Sequence, residues 1–267
     1  MIFKKYLLIE TVRRNAYFIW KNENKSIHAI KNFKPIDLNL IIGVDSQKEI
    51  LLKNTTNFAE GNFTNNALLW GARGNGKSSL IKSVFHEVLS KNNNLKLIQL
   101  NKNNIFEIEY LYELIGKLYN YRFIIFIDDL SFEKIDSDYK IIKSTLDGSI
   151  QNQPNNILLY VSSNRRHLMP RDMIDNERSS AIHTDESVEE KISLSDRFGL
   201  WIGFHKLSQV DYLKIIETYC EFYKINYNAD IKKKAIQWSL QRGNRTGRTA
   251  WQFVLDTASN QNLKINF

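Results

Sequence analysis

Eight residues, Gly71-Ala72-Arg73-Gly74-Asn75-Gly76-Lys77-Ser78, lie between a short apolar run, Ala67 to Trp70, and a helical stretch running from Ser78 to Ser90. They follow the pattern G-x-x-x-x-G-K-[ST] in the strand–loop–helix order that the pattern requires. Glycines at these spacings let successive backbone N–H groups converge on one point, and the positive end of the following helix faces the same point. Such a cradle suits phosphate oxygens, so residues 71–78 together with Ser79 are the candidate anion site. Lys77 would reach the β- and γ-phosphates of a nucleotide, and the Ser78 hydroxyl would ligate Mg²⁺. With only 11 glycines in 267 residues, a chance match somewhere in the chain has odds of about one in a few hundred.

The rest of the chain alternates around this loop. Asp45 to Phe58 predicts a helix capped by Asp45, with Ile50, Leu51 and Phe58 on one face. Leu95–Leu100, Phe123–Ile127, Ile157–Val161 and Leu200–Phe204 predict strands, and Glu107–Leu118 and Tyr139–Ile150 predict helices between them. Strands apolar on both faces and separated by helices point to a parallel sheet covered on both sides, of five strands when Ala67–Trp70 is included. Beyond Leu207 the strand signals stop, and Val210–Lys224, Ile231–Gln241 and Thr246–Ala258 all read as helices. The expected division is a basic leader (1–35), an α/β core (36–206) and a helical lid (207–267).

Charge is unevenly spread. The chain carries a net +8, and residues 1–35 alone are +6, with Lys4, Lys5, Arg13, Arg14, Lys21, Lys25, Lys31 and Lys34 against Glu10 and Glu23. Lys232–Lys234, Arg242, Arg245 and Arg248 form a second cluster. Such fields attract polyanions, nucleic acid included. Residues 171–190 are acidic instead and read as an exposed connection. One cysteine, Cys220, excludes an intramolecular disulfide, and the five scattered histidines have no zinc-ligand spacing. No apolar run is long enough to span a bilayer, and no secretory signal opens the chain; the cytoplasm is the expected compartment.

Further chemistry clusters where a parallel sheet binds its ligands, at the carboxyl ends of strands. Asp128 and Asp129 follow Phe123–Ile127. Asp128 is the candidate for holding Mg²⁺, and Asp129 for orienting or deprotonating an attacking water. Asn164 follows the next strand, where its amide would hold that water. Arg197, in Leu194-Ser195-Asp196-Arg197-Phe198-Gly199, precedes the last strand, and Arg245 and Arg248 open the last helix. Guanidinium groups suit the charge that develops on a transferring phosphoryl group.

In this order the motifs resemble an AAA+ ATPase. More narrowly, the chain is similar to a bacterial family of predicted AAA+ ATPases known as a domain of unknown function. That similarity rests on Leu40-Ile41-Ile42-Gly43-Val44-Asp45, the GARGNGKSS loop, Asp128 to Glu133, Ser163-Asn164-Arg165-Arg166-His167-Leu168 and Ser193 to Gly199, and spans about Leu40 to Ala258. It implies that Ile42 and Gly43 border an adenine. Lys77 and Ser78 become the Walker A pair, Asp128 the Walker B metal residue and Asn164 sensor 1. Arg197 becomes a finger reaching a neighbouring subunit's nucleotide, and Arg248, or else Arg245, becomes sensor 2. One departure stands out: Asp129 occupies the place where the general pattern has glutamate. On an unchanged backbone its carboxylate would sit about 1.5 Å further back, and misplacement on the order of 1 Å can cost about 10²-fold in rate. Either the loop compensates, or Glu133 takes over, or hydrolysis is slow.

The expected activity is hydrolysis of Mg²⁺-ATP to ADP and phosphate in a homo-oligomeric ring, driving remodelling or loading of a macromolecule. A nucleotide-gated, nucleic-acid-associated loader and an ATP-binding switch with little hydrolysis are the alternatives. A P-loop kinase is weaker, since neither an acceptor site nor a closing lid helix for one is evident.

Overall fold

A computed structural model describes residues 2–132, 137–147, 153–168, 194–263 and 265. Its strands are β1 (Tyr17–Lys21), β2 (Ser26–Ala29), β3 (Ala67–Gly71), β4 (Leu95–Leu100), β5 (Arg122–Ile127), β6 (Ile157–Ser163) and β7 (Leu200–Phe204). They form one sheet in the order β2-β1-β4-β5-β6-β3-β7. The β1–β2 pair is antiparallel and every other pair is parallel. The five strands expected from the sequence make up β4-β5-β6-β3-β7. The sheet has seven because residues 17–29 of the basic leader add a hairpin, with Phe18 opposite Ile98 of β4. Phe18 and Trp20 alternate inward from that hairpin and are almost wholly buried, which is what a half-covered strand requires. Lysines around this aromatic run masked its period.

Alternation along each central strand builds two cores. Leu68, Ile125 and Leu159 face one layer, together with Ile108, Leu111 and Ile115 of α4 (Ile108–Gly116). Leu69, Ile124, Phe126 and Leu158 face the other, against Leu51 and Phe58 of α2 (Asp45–Ala59) and Leu80, Ile81, Val84, Phe85 and Val88 of α3 (Lys77–Leu89). Helix α1 (Ile2–Arg14) precedes β1 and buries Val12, and α5 (Ser137–Asp147) follows β5. In α2 two expectations shift. Val44, not Asp45, is the N-cap, and Asp45 is instead the first-turn acid, 3.6 Å from Lys48. Ile50 is 44% exposed, because Leu51, Thr55 and Phe58 define the buried stripe and Ile50 lies one step (100°) off it.

Three helices, α6 (Gln209–Phe222), α7 (Ala229–Gln241) and α8 (Gly247–Asn260), pack around Tyr212, Ile216, Cys220, Phe253 and Val254. Each start is capped by a side chain: Ser208 forms a capping box with Asp211, Asn228 accepts from Ile231 N, and Thr246 accepts from Thr249 N. Leu40 joins this cluster and ties it to the segment leading into α2. The acidic stretch 171–190 and Glu133 lie outside the described residues. Among the described residues, no helix is long and apolar enough to cross a membrane.

Candidate functional site

The phosphate loop leaves β3 by a route open only to glycine. At Gly71, φ is +130°, and a Cβ would lie 2.0 Å from the Phe204 carbonyl oxygen of neighbouring β7. The next residue's N–H donates to that same oxygen at 3.2 Å. Gly74 and Gly76 also have positive φ, and Gly76 is the N-cap of α3. Below the loop, Asn75 Nδ2 donates to His205 O at 2.7 Å. A cleft of about 900 Å³ opens above it.

Lys77 is 6% exposed, and its Nζ donates to Gly71 O (2.7 Å), Ala72 O (2.9 Å) and Asn164 Oδ1 (3.0 Å). Burial lowers the ammonium to about 8, against the pull of the Asp129 and Asp128 carboxylates, with Arg248 adding to the lowering. Ser78 Oγ donates to Asp128 Oδ1 at 2.5 Å, and Ser162 Oγ donates to the same oxygen at 2.5 Å. A hydroxyl and a carboxylate meeting at a helix start are hard oxygen donors. Mg²⁺ uses one or two of these and keeps several waters, so Ser78 and Asp128 fit that ion.

Asp129 closes the far side. Asn164 Nδ2 donates to its Oδ1, and Asp129 N donates to Ser162 Oγ at 3.0 Å. Its φ is +55°, a left-handed conformation that aspartate, with its short side chain, adopts more readily than longer residues. The backbone thus gives its own reason for Asp at this place.

The cleft brings together Ile42, Arg73, Gly74, Asn75, Gly76, Lys77, Ser78, Ser79, Asp128, Asp129, Asn164 and Arg248 from the sequence-derived set. Gly71 and Ala72 take part through the carbonyls that hold Lys77. Gly43 is not among the lining residues; a Cβ there would lie 3.6 Å from Leu207 and 3.8 Å from Asp211. Arg248 N donates to Gly74 O at 3.1 Å, joining the start of α8 to the loop. Arg245 is not among the lining residues, and its Nη2 donates to Gln209 Oε1 at 3.3 Å. Arg197 is half-buried and also lies outside the lining.

Sequence reasoning missed Ser162 and the apolar wall. Ser162, which is 1% exposed, receives the Asp129 N–H and anchors Asp128. Its signal was a polar residue ending an otherwise apolar strand. Ile41, Ile215, Tyr219, Tyr223 and Trp251 supply a wall suited to a flat ring. They come from distant segments whose local pattern says only that they are buried.

The family described as "Protein of unknown function (DUF815)" matches residues 13–261, so the match begins well before Leu40 and takes in β1 and β2. No curated protein matches the sequence. Among solved structures, a point mutant of RuvB from Thermotoga maritima is similar at 17% identity and TM-score 0.56, covering 87% of this chain and 69% of its own. Domain III of the replication initiation protein DnaA from Thermotoga maritima gives 13% identity and TM-score 0.56, over 86% and 91%. The Aeropyrum pernix ORC1 protein, solved in complex with DNA, gives 16% and 0.55, over 85% and 64%. At these identities the likeness speaks for the fold. With a phosphate loop at the end of β3, an acidic pair at the end of β5, next but one in the sheet, and a three-helix cluster over the cleft, the chain has the AAA+ P-loop fold and belongs to the DUF815 family.

Proposed function

We propose that this protein binds Mg²⁺-ATP and hydrolyses it to ADP and phosphate. The observation that carries the reading is the meeting of Lys77, Ser78, Asp128, Asp129 and Asn164 beneath one glycine cradle. The loop amides and Lys77 hold the phosphates, while the apolar wall takes the adenine. Ser78 and Asp128 hold the ion, which when bound supplies positive charge to the phosphates. Asn164 orients a water, Asp129 accepts its proton, and water oxygen bonds to the γ-phosphorus as the bridging oxygen leaves with ADP. Lys77 and Arg248 offset charge growing on the transferred group.

Arg197 lies outside this cleft, which supports a role toward a neighbour's nucleotide in a homo-oligomer. We further propose that residues 207–267 act as the lid. Calorimetry with Mg²⁺-ATP and a phosphate-release assay test the reading. Lys77→Ala should lose binding, and a wild-type chain that takes up no adenine nucleotide would refute it. Turnover by a strictly monomeric protein would remove the trans role of Arg197.

A nucleic-acid partner is the second reading, motivated by the basic leader and by the ORC1 relative having been solved with DNA. Part of the leader's net charge is met from elsewhere in the chain, since Lys25 lies 3.7 Å from Glu107; Arg13 and Arg14 pair with Glu10, which the +6 already counts. Binding measured across a salt series decides it: phosphate contacts give a steep loss of affinity with salt.

A further inference from the structure

Asn164 lies in a turn that continues through Arg165, Arg166, His167 and Leu168, and the two arginines act in opposite directions. Arg165 Nη1 donates to Phe132 O at 3.0 Å, while Phe132 N donates back to Leu168 O at 2.8 Å. Ser163 Oγ donates to Leu130 O at 2.6 Å. These bonds fasten the turn to the chain leaving Asp129. Arg166 points the other way. Its guanidinium carbon lies 5.1 Å from the Trp70 ring and 5.0 Å from the Trp201 ring, and the rings are 5.7 Å from each other at 46°. His167 packs on Trp201 as well, at 5.6 Å.

The two indoles sit on one face of adjacent strands. Trp70 is opposite Gly203 and Trp201 opposite Leu68. Only glycine leaves room at 203, because a Cβ there would lie 2.8 Å from Trp70 Cζ2. Trp70 is bonded directly to Gly71, whose carbonyl holds Lys77. Trp201 stands four residues after Arg197. Arg166 is therefore the side chain by which the Asn164 turn grips both the strand entering the phosphate loop and the strand that follows the Arg197 segment.

We infer that Arg166 is a positioning residue for hydrolysis: clasped by Trp70 and Trp201, it holds Asn164 in register with Lys77 and Asp129. A guanidinium suits this place because its planar, weakly hydrated surface lies against aromatic faces, which an ammonium does less well. Nucleotide affinity does not depend on the grip, since the loop amides, Lys77 and the apolar wall stand without it. The rate does, because the angle between Asn164 and Asp129 is what the water senses.

The inference rests on the hydrolytic reading above, and the test separates the two. Arg166→Ala and Arg166→Lys are compared with wild type for ATP Kd, for kcat and for amide exchange without nucleotide. Arg166→Ala should lower kcat at least about ten-fold, with Kd within about two-fold. Arg166→Lys should recover part of the loss, and exchange should rise at residues 163–168 but not at the loop amides 71–78 or in α6–α8. Wild-type kcat in Arg166→Ala overturns the role, as does a loss that falls on Kd instead. If wild type turns over no ATP, the hydrolytic reading fails, and the exchange map decides the clasp alone: unchanged protection at 163–168 overturns it.

Discussion

Binding of ATP above neutral pH should take up a proton, and the amount follows from Lys77. In the free protein burial holds this ammonium at about 8, and Nζ donates to three uncharged oxygens. A triphosphate brings several negative charges against the same nitrogen, which restores or exceeds the ordinary lysine value. Uptake on binding is then about 0.1 proton at pH 7, about 0.5 at pH 8 and about 0.9 at pH 9. Affinity should fall about ten-fold from pH 7 to pH 9, or about 1.4 kcal/mol. Calorimetry at each pH in two buffers of different ionisation heat, with magnesium saturating, reads the proton count directly. Uptake below about 0.2 at pH 9 would show that burial does not lower Lys77 as argued. The sign for stability is fixed by the same shift. A folded-state value below the unfolded one makes the charged lysine a cost below pH 8, and that cost fades as pH rises toward about 10.4. Bound ATP should abolish this trend in thermal melts.

Asp129→Asn should keep nucleotide binding and stop phosphate release, since asparagine tolerates φ of +55° but cannot take the water's proton; turnover at the wild-type rate would move the base elsewhere. Chelating magnesium should abolish turnover and weaken ATP affinity, restored by adding the ion back. Tyr160→Phe should destabilise the protein by about 1–3 kcal/mol in urea unfolding. Tyr160 Oη lies 2.8 Å from Thr55 Oγ1, whose proton goes to Leu51 O, and it accepts from Asn54 Nδ2 at 3.0 Å, all in the core behind the phosphate-loop helix. An unchanged midpoint would mean that water satisfies both partners.

Much of this protein is written locally. An apolar run, a glycine loop and an amphipathic helix in succession are enough to specify strand, cradle and α3, because backbone sterics and helix dipoles act over a few residues. The acidic pair and Asn164 were legible for the same reason, each at the end of a strand with no polar side. What the tertiary structure decided depends on pairing across the chain. The leader's aromatic run becomes a strand only because β4 would otherwise be an open sheet edge. Ser162 becomes an anchor only when β6 lies between β5 and β3. Arg248 lines the cleft and Arg245 does not, since the docking of α8 on Gly74 sets which turn faces it. Sequence period specifies which side of an element is apolar; only the packed fold specifies what stands opposite, because that is settled by the summed burial of segments far apart in the chain.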